Sequence, residues 1–194
     1  MDDLMNYYKM SLLNGLCEEY KSEWQGCHGD EEKLMRLALR QQSIPHLVTY
    51  AVNGRGVTKE LLLSRFKDYV NGHVFNNCDC VDGYTYSMFV DYPYDNDIRL
   101  EVDVSVYMWC RDTYVTVPMT KCPLLYVSNH SDIHLSLDGY STVIVYLFDD
   151  SKVTIEESDE LSKVNVYSYS EDTVVEQGKH CLGNVRVFEK QLRL

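Results

Sequence analysis

The sequence predicts an α+β protein, a small N-terminal helical array followed by a short β-solenoid-like repeat domain. Three observations carry that expectation. As far as residue 75, apolar residues recur every three or four positions, the spacing of one helix face. From Tyr84 onward the period drops to two, the spacing of a half-buried strand. Within that second part a polar turn followed by a short strand returns about every twenty residues. The implied division is a helical domain over residues 1–75 and an acidic β repeat domain over 76–194.

The helical segment reads as four short helices. Asp2 or Asp3 can cap a first helix with Leu4, Tyr8, Leu12, Leu16 and Tyr20 on one stripe. Gly29 breaks the chain and Asp30 caps a second helix. Glu31 and Glu32 there complement the positive end of the dipole, and Leu34, Leu37 and Ala38 face a core. "SIPHLVTYAVNG" offers Ser43 as cap, Pro45 in the first turn and Asn53–Gly54 as the stop. "VTKELLLSRFKDYVNG" repeats that grammar from Thr58 to Asn71–Gly72. Two helices across a Gly-containing turn also fit a helix-turn-helix. The last helix carries only Lys59, Arg65 and Lys67, too few cations to favour DNA reading over packing.

In the second part, "IRLEVDVSVY" alternates perfectly and predicts one strand over Ile98–Tyr107, with Ile98, Leu100, Val102, Val104 and Val106 on one face. The repeat follows as "DND-IRLEV", "RDT-YVTV", "HSD-IHLSL", "DSK-VTIE" and "EDT-VVEQ". Its turns end at Asp97, Thr113, Asp132, Lys152 and Thr173, spacings of 16, 19, 20 and 21. Between the later copies stand "VIVY", "VNVY" and "VRVF", at Val143, Val164 and Val185, each 21 apart. A constant period with two strands per copy suits coils that bury their apolar positions against one another. The alternative is an antiparallel β-sandwich or jelly roll, whose hairpins return at a similar interval. A solenoid also leaves an open end. The last copy, "VRVFEK", is followed by "QLRL", ending on Leu192 and Leu194 with no capping helix in view.

The net charge of −12 is uneven. Residues 1–75 hold nine basic and ten acidic side chains, and residues 76–194 hold nine and twenty, a balance of −11. That surface disfavours direct nucleic-acid binding and suits solubility or docking on a basic partner. No apolar run approaches the ~20 residues of a membrane span. The acidic N-terminus lacks a signal-peptide core, and seven cysteines without framework spacing suggest reduced thiols. The expected setting is therefore cytoplasmic.

Three clusters carry possible chemistry. His73, Cys78 and Cys80 resemble part of a zinc site, but one Cys-x-Cys pair and one histidine fall short of four ligands. His130, Ser131, Asp132 and His134 hold the residue types of a triad. Ser131 and Asp132 read as turn chemistry, however, and the repeat spacings of 20 and 21 would line His134 up with Thr154 and Val175, with no acid–base pair. Asp91, Asp95 and Asp97 offer three carboxylates, without the glycine and distal Glu of a calcium loop. No catalytic residue, metal site or cofactor follows from these patterns. The candidate binding residues are instead Tyr146, Tyr167 and Phe188, one aromatic position repeated in three copies.

Three segments, "LCEEYKSEW" (Leu16 to Trp24), "VTKELLLSRFKDYVNG" and "DGYTYSMFVDY" (Asp82 to Tyr92), give the chain a resemblance over residues 10–155. It resembles small proteins of gut Bacteroidales genomes and their phages or mobile elements. The resemblance implies a mobile-element or phage context, with a virion-associated setting as the alternative to a cytoplasmic one, and transfers no activity and no site residues. The leading expectation is a non-enzymatic protein-interaction or assembly protein, acting on a protein partner or by self-association. One alternative is an acidic inhibitor that imitates nucleic acid to block a host defence or nucleic-acid-binding protein. Another is a glycan-acting or metal-dependent enzyme without a familiar motif.

Overall fold

Capping chemistry sets the helical segment. The computed structural model describes residues 18–76, 83–93 and 97–190. Four α-helices fall among them, α1 (Glu18–Gly26), α2 (Glu31–Ala38), α3 (Ile44–Val52) and α4 (Lys59–Arg65), followed by a short 3-10 helix at Lys67–Tyr69. Of the predicted first stripe, Leu4, Tyr8, Leu12 and Leu16 lie outside the described residues. Asp30 accepts from the Lys33 amide and Thr58 Oγ1 from the Leu61 amide at 3.1 Å, as an N-cap should. Ser43 differs: it occupies the N-cap position of α3 in a helical conformation, with no side-chain cap bond. Lys59 and Arg65, the cations a DNA-reading helix would need, pair with Asp91 at 3.2 Å and Glu31 at 2.9 Å.

The strands then alternate between two sheets. They are β1 (Tyr86–Val90), β2 (Ile98–Arg99), β3 (Val104–Met108), β4 (Thr113–Val117), β5 (Leu124–Ser128), β6 (Asp132–Leu137), β7 (Thr142–Leu147), β8 (Lys152–Ser158), β9 (Lys163–Ser168), β10 (Val174–Cys181) and β11 (Asn184–Glu189). Odd-numbered strands form a six-stranded sheet in chain order, and even-numbered strands a five-stranded one. Each strand pairs in parallel with the next strand but one. Parallel stacking of about five coils is a β-solenoid, and it excludes the hairpins of a sandwich. The 21-residue spacing is the register itself: Val143 pairs with Val164, and Val164 with Val185.

"IRLEVDVSVY" is the exception. It forms two strands, β2 and β3, in different sheets, joined by a corner at residues 100–103. Burial still alternates through the corner, which is why the pattern reads as one strand. Yet Ile98, Leu100 and Val102 face the solenoid interior, whereas Val104 and Val106 face the helices. The interior is a column of β-branched and leucine side chains, among them Leu125, Val127, Ile133, Leu135, Val145, Val153 and Val166, all shielded from solvent.

The helices cover the outer face of the odd sheet at its first strands. Val104, Val106, Met108 and Tyr126 join Leu34, Ile44, Val48 and Phe66 in one cluster, so β1 and β3 are buried on both faces. The same segment closes the first edge of the sheet. Phe75 bridges Tyr86 antiparallel, and the Asn71 amide donates to Met88 O at 2.8 Å. The Asn71 side chain, on a backbone at φ +56°, accepts from Val90 N at 2.7 Å and donates to Val90 O at 2.8 Å. Tyr86, Val90 and the Met88 carbonyl on the edge of β1 are thereby paired.

Corners repeat as faithfully as strands. Buried serines stack there: the Ser131 amide donates to Ser151 Oγ, and the Ser141 amide to Ser162 Oγ. Each hydroxyl meets an amide of the preceding coil that a tight corner leaves unpaired.

Candidate functional site

On the outer face of the odd sheet, parallel register stacks the aromatic positions of successive coils. Tyr126, Tyr146, Tyr167 and Phe188 lie ring on ring at centroid distances of 4.8, 5.4 and 5.1 Å, tilted by about 20°. The structure brings Tyr146, Tyr167 and Phe188 together and adds Tyr126, which the repeat count omitted because its coil is spaced by 20 rather than 21. Exposure rises along the row. Tyr126 is buried beneath the helices, Tyr146 and Tyr167 are half-buried, and Phe188 is 38% exposed. Burial raises the Tyr126, Tyr146 and Tyr169 hydroxyl pKa values, with neighbouring tyrosines adding to the effect. The Lys190 ammonium stands 5.5 Å from the Tyr167 ring centre, and Tyr169 stacks on Phe148 beside the row.

The row runs out at the last coil. Val187 pairs with Val166 in register, yet Val166 is fully buried and Val187 is 51% exposed. Val174 and Leu182 are exposed as well. Among the described residues no strand pairs with the outer side of β10 or β11. A shallow hollow between the two strands is lined by Tyr169, Thr173, Val175, Val187 and Lys190 among others. Leu192 and Leu194 lie outside the described residues.

The outer face of the even sheet carries a different array. His134 aligns with Thr154 as expected, but Thr154 aligns with Glu176 and not Val175, because β8 and β10 are offset by 22 residues. The expectation of no acid–base pair fails here. Pairing between β6 and β8 shifts after Leu135, where β8 carries one extra residue, Glu156. Glu156 reaches across, with Oε1 2.7 Å from His134 Nδ1. On the other side of the ring, His134 Nε2 stands 3.8 Å from both Asp112 Oδ1 and Asp132 Oδ1. Tyr114 stacks on the imidazole at 4.6 Å. Gly178, in the bulged part of β10, makes room, since a Cβ there would meet the Glu156 carbonyl at 2.9 Å.

The remaining sequence candidates are placed as follows. Ser131 turns its hydroxyl to Ser128 O in the corner and does not meet His134. His130 pairs with Asp150, and Asp149 accepts from the His130 amide, the Ser151 amide and Ser151 Oγ. His73 packs edge-on against Tyr69 and Phe75, while Cys78 and Cys80 lie outside the described residues. Asp91 holds Lys59, and Asp95 lies outside the described residues. Cys27, Cys110, Cys122 and Cys181 are unpaired thiols, and burial pushes Cys110 up to about 11. Among the described residues no helix is long and apolar enough to cross a membrane. No family model, curated protein or solved structure matches this chain.

Proposed function

We propose that the protein is a non-enzymatic interaction and assembly module that pairs, through its last coil, with a second copy of itself. The observation that carries this reading is the contrast between Val166, fully buried, and its register mate Val187, half-exposed. Among the described residues the final coil has the apolar positions and the unpaired strand edges of a coil awaiting another. Edge amides and carbonyls satisfied by a second chain give β-augmentation its affinity.

Charge supports a copy of this chain as the occupant. Residues 171–194 hold four acidic and four basic side chains, so the whole −11 of the second part falls on residues 76–170. Like-charge repulsion between copies is weakest at that end. Closure follows from the other end, where Asn71 and Phe75 already occupy the edge of β1. With the first edge of the odd sheet occupied in this way, pairing through the last coil makes a closed two-fold dimer rather than a fibre. Phe188 and Tyr167 extend the contact onto the sheet face.

Sedimentation across a concentration series tests the reading. The full chain is expected to run as a dimer at tens of micromolar, and Val187→Lys or Phe188→Glu as a monomer whose melt matches that of the dilute wild type. A wild-type chain that stays monomeric throughout overturns it. The acidity of residues 76–170 favours one second reading, an inhibitor that imitates a polyanion. Complexes with basic nucleic-acid-binding proteins would then weaken steeply with salt, and salt-insensitive binding would count against it.

A further inference from the structure

We propose that Asp112, Asp132 and His134, on the outer face of the even sheet, form a binding site for a divalent transition-metal ion, zinc being the ion that suits these donors best. One atom from each residue falls in a group whose members lie within 4.8 Å of one another. Ligands held ~2.1 Å from a tetrahedral zinc ion sit about 3.4 Å apart. The 3.8 Å separations here close on an ion with small side-chain adjustments, most easily at Asp112, whose side chain is 72% exposed.

Hydrogen bonding says which atoms face the gap. His134 Nδ1 lies against Glu156, so in the neutral ring Nδ1 carries the proton and donates, and the Nε2 lone pair points at two carboxylates. His134 Nε2 and Asp132 Oδ1 are both shielded from solvent and lack a hydrogen-bond partner. Thr154, only 6% exposed and adjacent to His134 in register, likewise has an unpartnered Oγ1. Unpaired buried acceptors are costly, and two of them, His134 Nε2 and Asp132 Oδ1, face each other 3.8 Å apart, which marks a place for an electrophile. Lys152 does not supply it: its ammonium approaches the opposite oxygen, Asp132 Oδ2, at 4.0 Å and is held by Glu176 at 3.0 Å.

The surroundings are those of a metal-bound imidazole. A carboxylate on the far ring nitrogen fixes the tautomer and makes the ligating nitrogen more basic, and Glu156 stands in that position. Tyr114 fixes the ring plane. Imidazole with carboxylates is a donor set that zinc accepts, and three protein ligands leave a fourth position open. The second histidine–carboxylate group, His130 with Asp149 and Asp150, differs: its carboxylates already accept hydrogen bonds or pair with the ring.

Calorimetric titration of zinc into the full chain, its accessible thiols alkylated first, tests the site. The wild type is expected to bind one equivalent that Asp112→Asn and His134→Gln each weaken at least tenfold, while Asp150→Asn leaves it unchanged. Because Asp112 is largely exposed, that variant reports on the ion and not on folding. Glu156→Gln is expected to weaken binding by ten- to a hundredfold; unchanged affinity would remove its positioning role. A wild type that takes up no zinc, or an Asp112→Asn variant that binds as well as the wild type, overturns the proposal.

Discussion

Asp103 shows how one side chain holds a corner. Its Oδ2 accepts from the Thr85 amide at 2.9 Å and from Thr85 Oγ1 at 2.7 Å, tying the start of β3 to the segment before β1. Burial pushes its pKa up, but the two Thr85 hydrogen bonds, with help from the Lys121 charge, outweigh burial and leave it lowered. A carboxyl lowered on folding contributes stability above its unfolded pKa, about 4, and loses it as pH falls through the folded value. Asp103→Asn should therefore cost about 1–2 kcal/mol at pH 7, in the range of hydrogen bonds to a charged group. Urea melts from pH 7 to pH 2 should show the gap between variant and wild type closing below about pH 4. A gap independent of pH would mean that the charge on Asp103 does not hold the corner.

At the scale of the element, the aromatic row is a graded structure, core at one end and surface at the other. Tyr126 is sealed under the helices, so Tyr126→Ala should cost about 3–5 kcal/mol, as large buried aromatics do. Phe188 stacks on Tyr167 and is 38% exposed, so Phe188→Ala should cost far less, about 1 kcal/mol. Equal losses in denaturant melts would contradict the gradient. This element also shows what the sequence made legible. "VIVY", "VNVY" and "VRVF" are one strand written three times, and in parallel stacking equal spacing is register. Tyr126 escaped because a 20-residue offset hides it from a 21-residue count. His134 and Glu156 escaped because a bulge changes which residues share a face, and alternation cannot register one extra residue. The corner inside "IRLEVDVSVY" escaped for the opposite reason: burial alternates straight through it, although the two halves face different cores.

Across the whole molecule the two ends are unlike. At the first, the helices cover the odd sheet and the Asn71–Phe75 segment pairs with the edge of β1. At the last, β10 and β11 present an uncharged balance and apolar positions that another coil would bury. Stability in a stacked fold passes between neighbouring coils, so the terminal coil should be the first to open when the molecule is alone. Backbone hydrogen exchange at low and high protein concentration therefore tests the central claim most directly. Pairing through the last coil predicts that protection over residues 174–189 rises with concentration while protection of β5 and β7 stays constant. Exchange of the last coil that is fast and identical at both concentrations would contradict it.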